Sequence, residues 1–375
     1  LMPHGKRNQA GVAFYKDVIK ATKENGMQPL VTLYHWDLPA GLDWREKSVV
    51  DAYVKYADLV FSEFIDHVDD FITFNEPWVF CKLGYQLGIH APGVKSTADD
   101  LKCGHHVLLA HGKAVKLFRS KYQRKGKRIG ITLNHEWRVP HNPSDPKDVT
   151  RTQGAIDSQL GWFADPIYLG DYPKTLKARW GKKMPVFTPA EKELLKGSSD
   201  FFGLNMYTTL YESHEDGSSY ERFSVPIGPE AASIWLYPAP FGVAQLLKYV
   251  QNRYNPPSII ITENGVSAVN EEYMPNPRKQ KITLKDSFRL TYYSEYIRQV
   301  AVAVVHYGAK VEGYFAWSMM DNLEWADGYD KRFGLQYVDF DAPERPRYMK
   351  ESAKYLGTLI PSVRAQIDTC KLSTQ

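Results

Sequence analysis

Six apolar stretches of this sequence end in residues that can do chemistry. The endings are His35-Trp36-Asp37, Asn75-Glu76-Pro77-Trp78, Asn134-His135-Glu136-Trp137, Asn205-Met206-Tyr207, Glu263-Asn264-Gly265 and Trp317-Ser318. Two of them, Glu76 and Glu263, deliver a carboxyl group directly after an apolar run. Hydrolysis of a glycosidic bond needs two carboxyls flanking the anomeric carbon, one protonated to help the leaving oxygen depart and one ionised. Environment divides such roles, because burial or a like charge raises one pKa while hydrogen bonding holds the other down. A lone strand-end glutamate more often caps a helix or pairs with an arginine. Two of them, accompanied by Asn, Tyr and Trp at the same kind of position, point to catalysis.

The elements that must carry these endings follow from periodicity. Strands are expected at 28–36, 71–75, 128–134, 200–207, 258–263 and 311–318, all rich in β-branched or aromatic residues. Helical patterns lie between them at 9–24, 50–67, 104–122, 240–254 and 285–307. Alternating strands and helices with near-continuous apolar strands imply a parallel sheet buried on both faces. The fold class is therefore α/β, of the (β/α)8 barrel type, in which the carboxyl ends of the strands share one mouth. Six strands are visible where such a barrel has eight, and no linker or repeat divides residues 1–375, which reads as a single catalytic domain. The Pro- and Gly-rich stretches 138–146 and 225–241 read as long loops.

At that mouth His35, Asn75 and Asn205 can hydrogen-bond hydroxyl groups. Tyr207 can donate to a nucleophilic carboxylate, and Trp317, with Trp325 nearby, offers a flat platform. Glu324 can accept from two adjacent hydroxyls. The aromatic content is high, with 9 Trp, 24 Tyr and 17 Phe. Core packing accounts for most of it, and aromatic faces are also the usual platforms for sugar rings.

Bulk properties exclude other classes. A formal charge of +4 on 375 residues gives no case for nucleic acid or an anionic membrane surface. No run approaches the roughly 18 apolar residues of a membrane span. The three cysteines, Cys81, Cys103 and Cys370, are far apart and odd in number, which does not read as a disulfide framework and leans toward a reducing, cytoplasmic compartment. The one Asn-x-Ser/Thr match, Asn142-Pro143-Ser144, is blocked by its proline.

Three rival constellations are weaker. Cys103, His105, His106 and His111 suggest a metal, but His106 and His111 are five apart and no second ligand pair follows, so no metal site is expected. Glu136 is a third strand-end carboxylate and lies two residues past its strand, a loop position. The basic run Lys121 to Arg128 reads as a solvated helix end.

The motifs TFNEPW (73–78), ITENG (261–265) and WSMMDNLEWADGYDKRFG (317–334) resemble glycoside hydrolase family 1, the β-glucosidase family. TLYHWDLP (32–39), GLNMYT (203–208) and GDYPKTL (170–176) are similar as well, so the resemblance runs over essentially the whole chain. It implies that Glu76 is the acid/base and Glu263 the nucleophile. It implies further that His35, Asn75, Glu324 and Trp325 bind the glycone, that Trp317 is its platform, and that Asn205 and Tyr207 support the nucleophile. Trp235, in SIWLYP, resembles the aglycone-side tryptophan. Glutamate at position 76 is unlike the thioglucosidase branch, and Glu324 without the downstream Ser and Lys of phospho-glycosidases implies an unphosphorylated sugar. Against the family pattern the sequence lacks the first two strand–helix units, and the stretch after Pro39 is short.

The expected activity is retaining hydrolysis of β-linked glycosides, foremost β-glucosides, with no cofactor and with a small glycoside or oligosaccharide as partner. Retention predicts carboxyls about 5–5.5 Å apart. The alternative is a catalytically impaired relative that binds glycosides.

Overall fold

The computed structural model describes residues 6–213, 221–222, 231–268 and 284–373. The elements that matter for function are α1 (Gln9–Glu24), β1 (Leu30–Tyr34), α2 (Ser48–Phe64), β2 (Asp70–Asn75), α3 (Pro77–Tyr85), α4 (Asp99–Leu117), β3 (Arg128–Asn134), β4 (Phe202–Asn205), α5 (Phe241–Tyr254), β5 (Ile259–Asn264), α6 (Ser287–Tyr307) and β6 (Val311–Ala316). Strand order is β1-β2-β3-β4-β5-β6, so each neighbour in the sheet is the next of these strands in sequence. All six correspond to the expected apolar runs. Position 207 lies outside β4, whose ladder ends at Asn205. Among the described residues no helix is long and apolar enough to cross a membrane.

The chain divides into two compact units, Leu1–Asn134 with Ile156–Gly203 and Pro256–Ser258, and His135–Ala155 with Leu204–Asn255 and Ile259–Gln375. In the first unit β1, β2 and β3 pair in parallel, with Leu30 opposite Asp70 and Asp70 opposite Arg128. The β2–β3 register shifts between Ile72 and Asn75, just before Glu76. Helix α1 starts on the Asn8 side chain, which accepts from Gly11 N at 3.0 Å, and the chain turns at Gly26 with φ +73°. The core is aromatic: Tyr34, Trp44, Tyr53, Phe74 and Phe80 meet with centroids 4.4–6.4 Å apart, mostly edge to face. That cluster absorbs part of the aromatic excess.

One expectation is corrected here. Cys81 on α3 and Cys103 on α4 form a disulfide, with Cα atoms 5.6 Å apart and both side chains fully buried. Twenty-two residues separate them in sequence, but α3 and α4 pack side by side and bring one turn of each helix together. Beside it Lys82 Nζ donates to the buried Asp100 at 3.3 Å, a second tie between the same helices. The lean toward a reducing compartment therefore loses its basis.

Four of the five charges of the basic run are paired within the first unit. Lys121 pairs with Asp58 at 2.8 Å, Arg124 with Asp66, Lys127 with Asp69 at 2.7 Å and Arg128 with Asp70 at 2.7 Å. The partners are Asp58 on α2, Asp66 and Asp69 in the connection that follows it, and Asp70 at the start of β2.

In the second unit β5 and β6 pair in parallel, Ile259 opposite Val311 and Asn264 opposite Ala316. Two short strands, Trp137–Pro140 and Thr209–Glu212, also pair in parallel, so part of the expected 138–146 loop is a strand. The 225–241 stretch lies in part outside the described residues. Helix α6 ends at Gly308 with φ +64° and lays Tyr292, Tyr293 and Tyr296 into the core, each fully buried.

Candidate active site

The first unit holds one carboxylate, Glu76, with the polar side chains of His35 and Asn75. Asn75 is the last residue of β2 and Glu76 follows it directly, both buried. Glu76 leaves the strand at φ +48°, in the left-handed region, and is the N-cap of α3 with Pro77 at the first helical position. Its backbone N–H donates to Thr132 O at 3.0 Å, while its carbonyl accepts from Val79 N at 3.0 Å. The backbone is thus pinned on both sides of a conformation that costs a non-glycine residue roughly 1–3 kcal/mol. Asn75 Nδ2 donates to His35 Nε2 at 3.2 Å, and its carbonyl accepts from Trp36 Nε1 at 2.8 Å. Burial holds the His35 pKa down at about 4, against the opposing pull of Asp37, so the ring is neutral and polar near neutral pH. Trp36 (φ +85°) packs its ring against His90 at 5.7 Å.

The second unit holds the other carboxylate and a denser support. Glu263, near the end of β5, is 9% exposed, and its Oε2 accepts from Tyr207 Oη at 2.6 Å. Met206 N donates to Glu263 O at 3.1 Å, and Thr262 Oγ1 donates to Asn205 Oδ1 at 2.6 Å. The Asn205 amide is thereby oriented from the neighbouring residue of the same strand as Glu263. Asn264 Nδ2 donates to Met206 O at 2.6 Å, and Tyr314 Oη donates to Asn264 Oδ1 at 2.6 Å. Gly265 has no room for a side chain: a Cβ there would lie 1.8 Å from Trp317 O.

Trp317 follows β6, its N–H donating to Asn264 O at 2.8 Å, and the Trp317–Ser318 peptide is cis. The loop beyond carries Glu324 and Trp325, the latter at φ +49°. Burial, reinforced by Asp327 and opposed by a hydrogen bond with Trp317, pushes the Glu324 pKa up to about 7. The loop is anchored by the buried Asp321, which accepts from Arg332 Nη1 at 2.6 Å, Gly334 N at 3.0 Å and Lys350 Nζ at 3.1 Å. Trp235 packs edge-on against Tyr207, centroids 5.4 Å apart, and parallel to Phe333 at 6.4 Å.

The candidate residues other than Trp235 fall on a strand end or the loop that follows it, while Trp235 lies in the segment that leads into α5. In the first unit His35 and Asn75 are brought together beside Glu76 in the chain. In the second, Tyr207 meets Glu263, Trp317 meets Glu324, and Trp235 meets Tyr207. Sequence reasoning passed over Phe333, although it stands inside the 317–334 motif, and Asn264, whose amide ties Met206 to Tyr314. It also passed over the α6 tyrosines, whose spacing signalled only an apolar helix face.

The rivals take other partners. Glu136 Oε2 accepts from Arg138 Nη2 at 3.3 Å, and Arg138 also donates to Glu212 at 2.7 Å. His105 bonds Tyr172 Oη at 3.0 Å, His106 bonds Trp44 O at 2.8 Å, and His111 lies between Thr73 and Ser198. The three histidines thus serve three separate contacts.

Comparison with known proteins follows the same lines. The family model "Glycosyl hydrolase family 1" matches residues 1–364. Beta-glucosidase 11 of Oryza sativa subsp. japonica is 41% identical over 386 residues, covering 94% of this chain and 71% of that protein. Beta-glucosidase 1B of Phanerodontia chrysosporium is 41% identical over 392 residues, covering 96% and 71%. Among solved structures, β-glucosidase 2 from the fungus Trichoderma reesei, in complex with Tris, superposes with a TM-score of 0.89 at 40% identity, covering 95% of this chain and 80% of that one.

Proposed function

The chain belongs to glycosyl hydrolase family 1, and on that premise we propose that Glu263 is the nucleophile and Glu76 the acid/base of a retaining β-glucosidase. The fold is of the (β/α)8 barrel type, as in the family's solved structures, and the chain is an O-glycoside hydrolase acting on small glycosides. We read residues 1–375 as acting together as one catalytic domain.

In the first half-reaction Glu263 attacks the anomeric carbon while Glu76 gives its proton to the departing glycosidic oxygen. The C–O bond breaks and a glycosyl ester forms on Glu263. In the second, Glu76 takes a proton from water, the hydroxide attacks the same carbon, and the Glu263 carboxylate leaves. Two inversions give a product with the configuration of the substrate.

His35, Asn75, Glu324 and Trp325 bind the glycone, Trp317 is the face on which it rests, and Asn205 and Tyr207 support the nucleophile's side. Trp235 takes the aglycone. The observation that carries the reading is the buried Glu263 carboxylate with the Tyr207 phenol at 2.6 Å. A phenol donating to a carboxylate favours its ionised form, which is the form that attacks. The direct test is the anomer released first from an aryl β-glucoside, followed by proton NMR before mutarotation. β-Glucose first supports the two-step mechanism; α-glucose first contradicts it.

A further inference from the structure

Tyr207 reaches Glu263 from a segment that has already left its strand, so something other than the β4 ladder must hold it. Its main-chain carbonyl accepts two hydrogen bonds, from Tyr292 Oη and from Tyr296 Oη, each at 2.8 Å. Both donors sit one turn apart on α6, and their rings stack with centroids 3.8 Å apart and planes 18° from parallel. Each hydroxyl also accepts a bond: Tyr292 from Asn264 Nδ2 at 3.0 Å, and Tyr296 from Ala239 N at 2.9 Å. A carbonyl can only accept, so in both contacts the phenol is the donor.

We propose that Tyr292 and Tyr296 are positioning residues for the nucleophile, fixing the Tyr207 main chain so that its phenol stays on Glu263. The inference rests on the assignment of Glu263 above and extends it to two residues of the helix behind the sheet.

Three features support this role over plain packing. Two donors on one carbonyl occupy both of its lone pairs, which fixes the peptide in direction as well as position. Burial raises both phenol pKa values, so both hydroxyls keep their protons near neutral pH. The same Tyr292 hydroxyl reads Asn264, the residue after Glu263, so one atom ties the nucleophile's strand to the nucleophile's donor. A core that needed only volume at these positions would be filled as well by phenylalanine, which lacks the oxygen.

The test uses Tyr292→Phe, Tyr296→Phe and the double variant, each also made with Tyr207→Phe. Two rates are read: turnover of an aryl β-glucoside, and labelling of Glu263 by a dinitrophenyl β-glucoside carrying fluorine beside the anomeric carbon, which traps the glycosyl ester. Glucose inhibition reports glycone binding. The double variant is expected to lose about tenfold in kcat/KM and in labelling rate, as small misplacements remote from the chemistry do. Its glucose inhibition constant should stay within about twofold, and the same substitutions should add no further loss once Tyr207 is phenylalanine. The single variants, each keeping one donor, give the same pattern with smaller losses should the double variant fold poorly. Labelling at the wild-type rate in a folded double variant overturns the proposal while leaving the assignment of Glu263 intact. An equal further loss in the Tyr207→Phe background overturns it too, because the tyrosines would then act elsewhere. Failure to label the wild-type chain at all overturns the assignment and the inference together.

Discussion

Tyr207 Oη stands 2.6 Å from Glu263 Oε2. Such a bond to a charged acceptor contributes about 1.5–3 kcal/mol, and most of that should appear in the transition state, where the carboxylate must be aimed at the anomeric carbon. Tyr207→Phe is therefore expected to lower kcat/KM for an aryl β-glucoside about 10- to 100-fold with little change in glucose inhibition. Steady-state kinetics on both quantities checks it; an unchanged kcat/KM would remove Tyr207 from the mechanism.

Glu324 gives a pH dependence with a defined sign. Its carboxyl titrates near 7 in the folded protein against an ordinary 4.5. Between those values the folded state holds a proton that the unfolded chain has released, so its contribution to stability falls as pH rises through that window. Below about 4.5 both states are protonated and the slope vanishes. Replacing Glu324 with Gln should flatten the fall in Tm between pH 5 and 7 relative to wild type. The inflection near pH 7 in glucose affinity should disappear in the same variant. Parallel curves for the two proteins would contradict the assignment.

The Cys81–Cys103 disulfide predicts a thiol count. Denatured without reductant, the chain should take up a single alkylating group, and after reduction three. Opening a loop of this size should cost roughly 3 kcal/mol of stability, read as a lower urea midpoint for Cys103→Ser. Three labels without reductant would show that the bond is absent.

Asp321 is the buried anchor of the loop that carries Glu324. Replacing it with Asn leaves Arg332 and Lys350 without the carboxylate they share, a loss expected to cost about 3–5 kcal/mol. Urea unfolding measures it. A change below about 1 kcal/mol, the scale of exposed ion pairs, would show that the three-residue cluster does not hold the loop.

How much of this was legible in the sequence depends on the range of the interaction. The six strands of the sheet were legible because apolar runs such as 258–263 report burial residue by residue, and their polar endings report the site. Glu76 and Glu263 could be singled out because each follows such a run directly. What was missed depends on neighbours distant in sequence. The strand Trp137–Pro140 exists because Thr209–Glu212 lies beside it, and nothing local to either marks the pairing. Helix α3 begins on Glu76 itself, so its first turn was read as a strand ending. Cys81 and Cys103 are 22 residues apart on two helices, and only the packing of α3 on α4 joins them. Tyr292 and Tyr296 have the spacing of an apolar helix face, and that period cannot tell where a phenol oxygen points.

The measurement that bears most directly on the whole account is hydrolysis of an aryl β-glucoside by the 375-residue chain, run beside its Glu263→Gln variant. The account predicts turnover by the chain and its loss in the variant, with folding and glucose binding retained. No turnover in either, from folded protein that still binds glucose, would contradict it and leave a glycoside-binding protein.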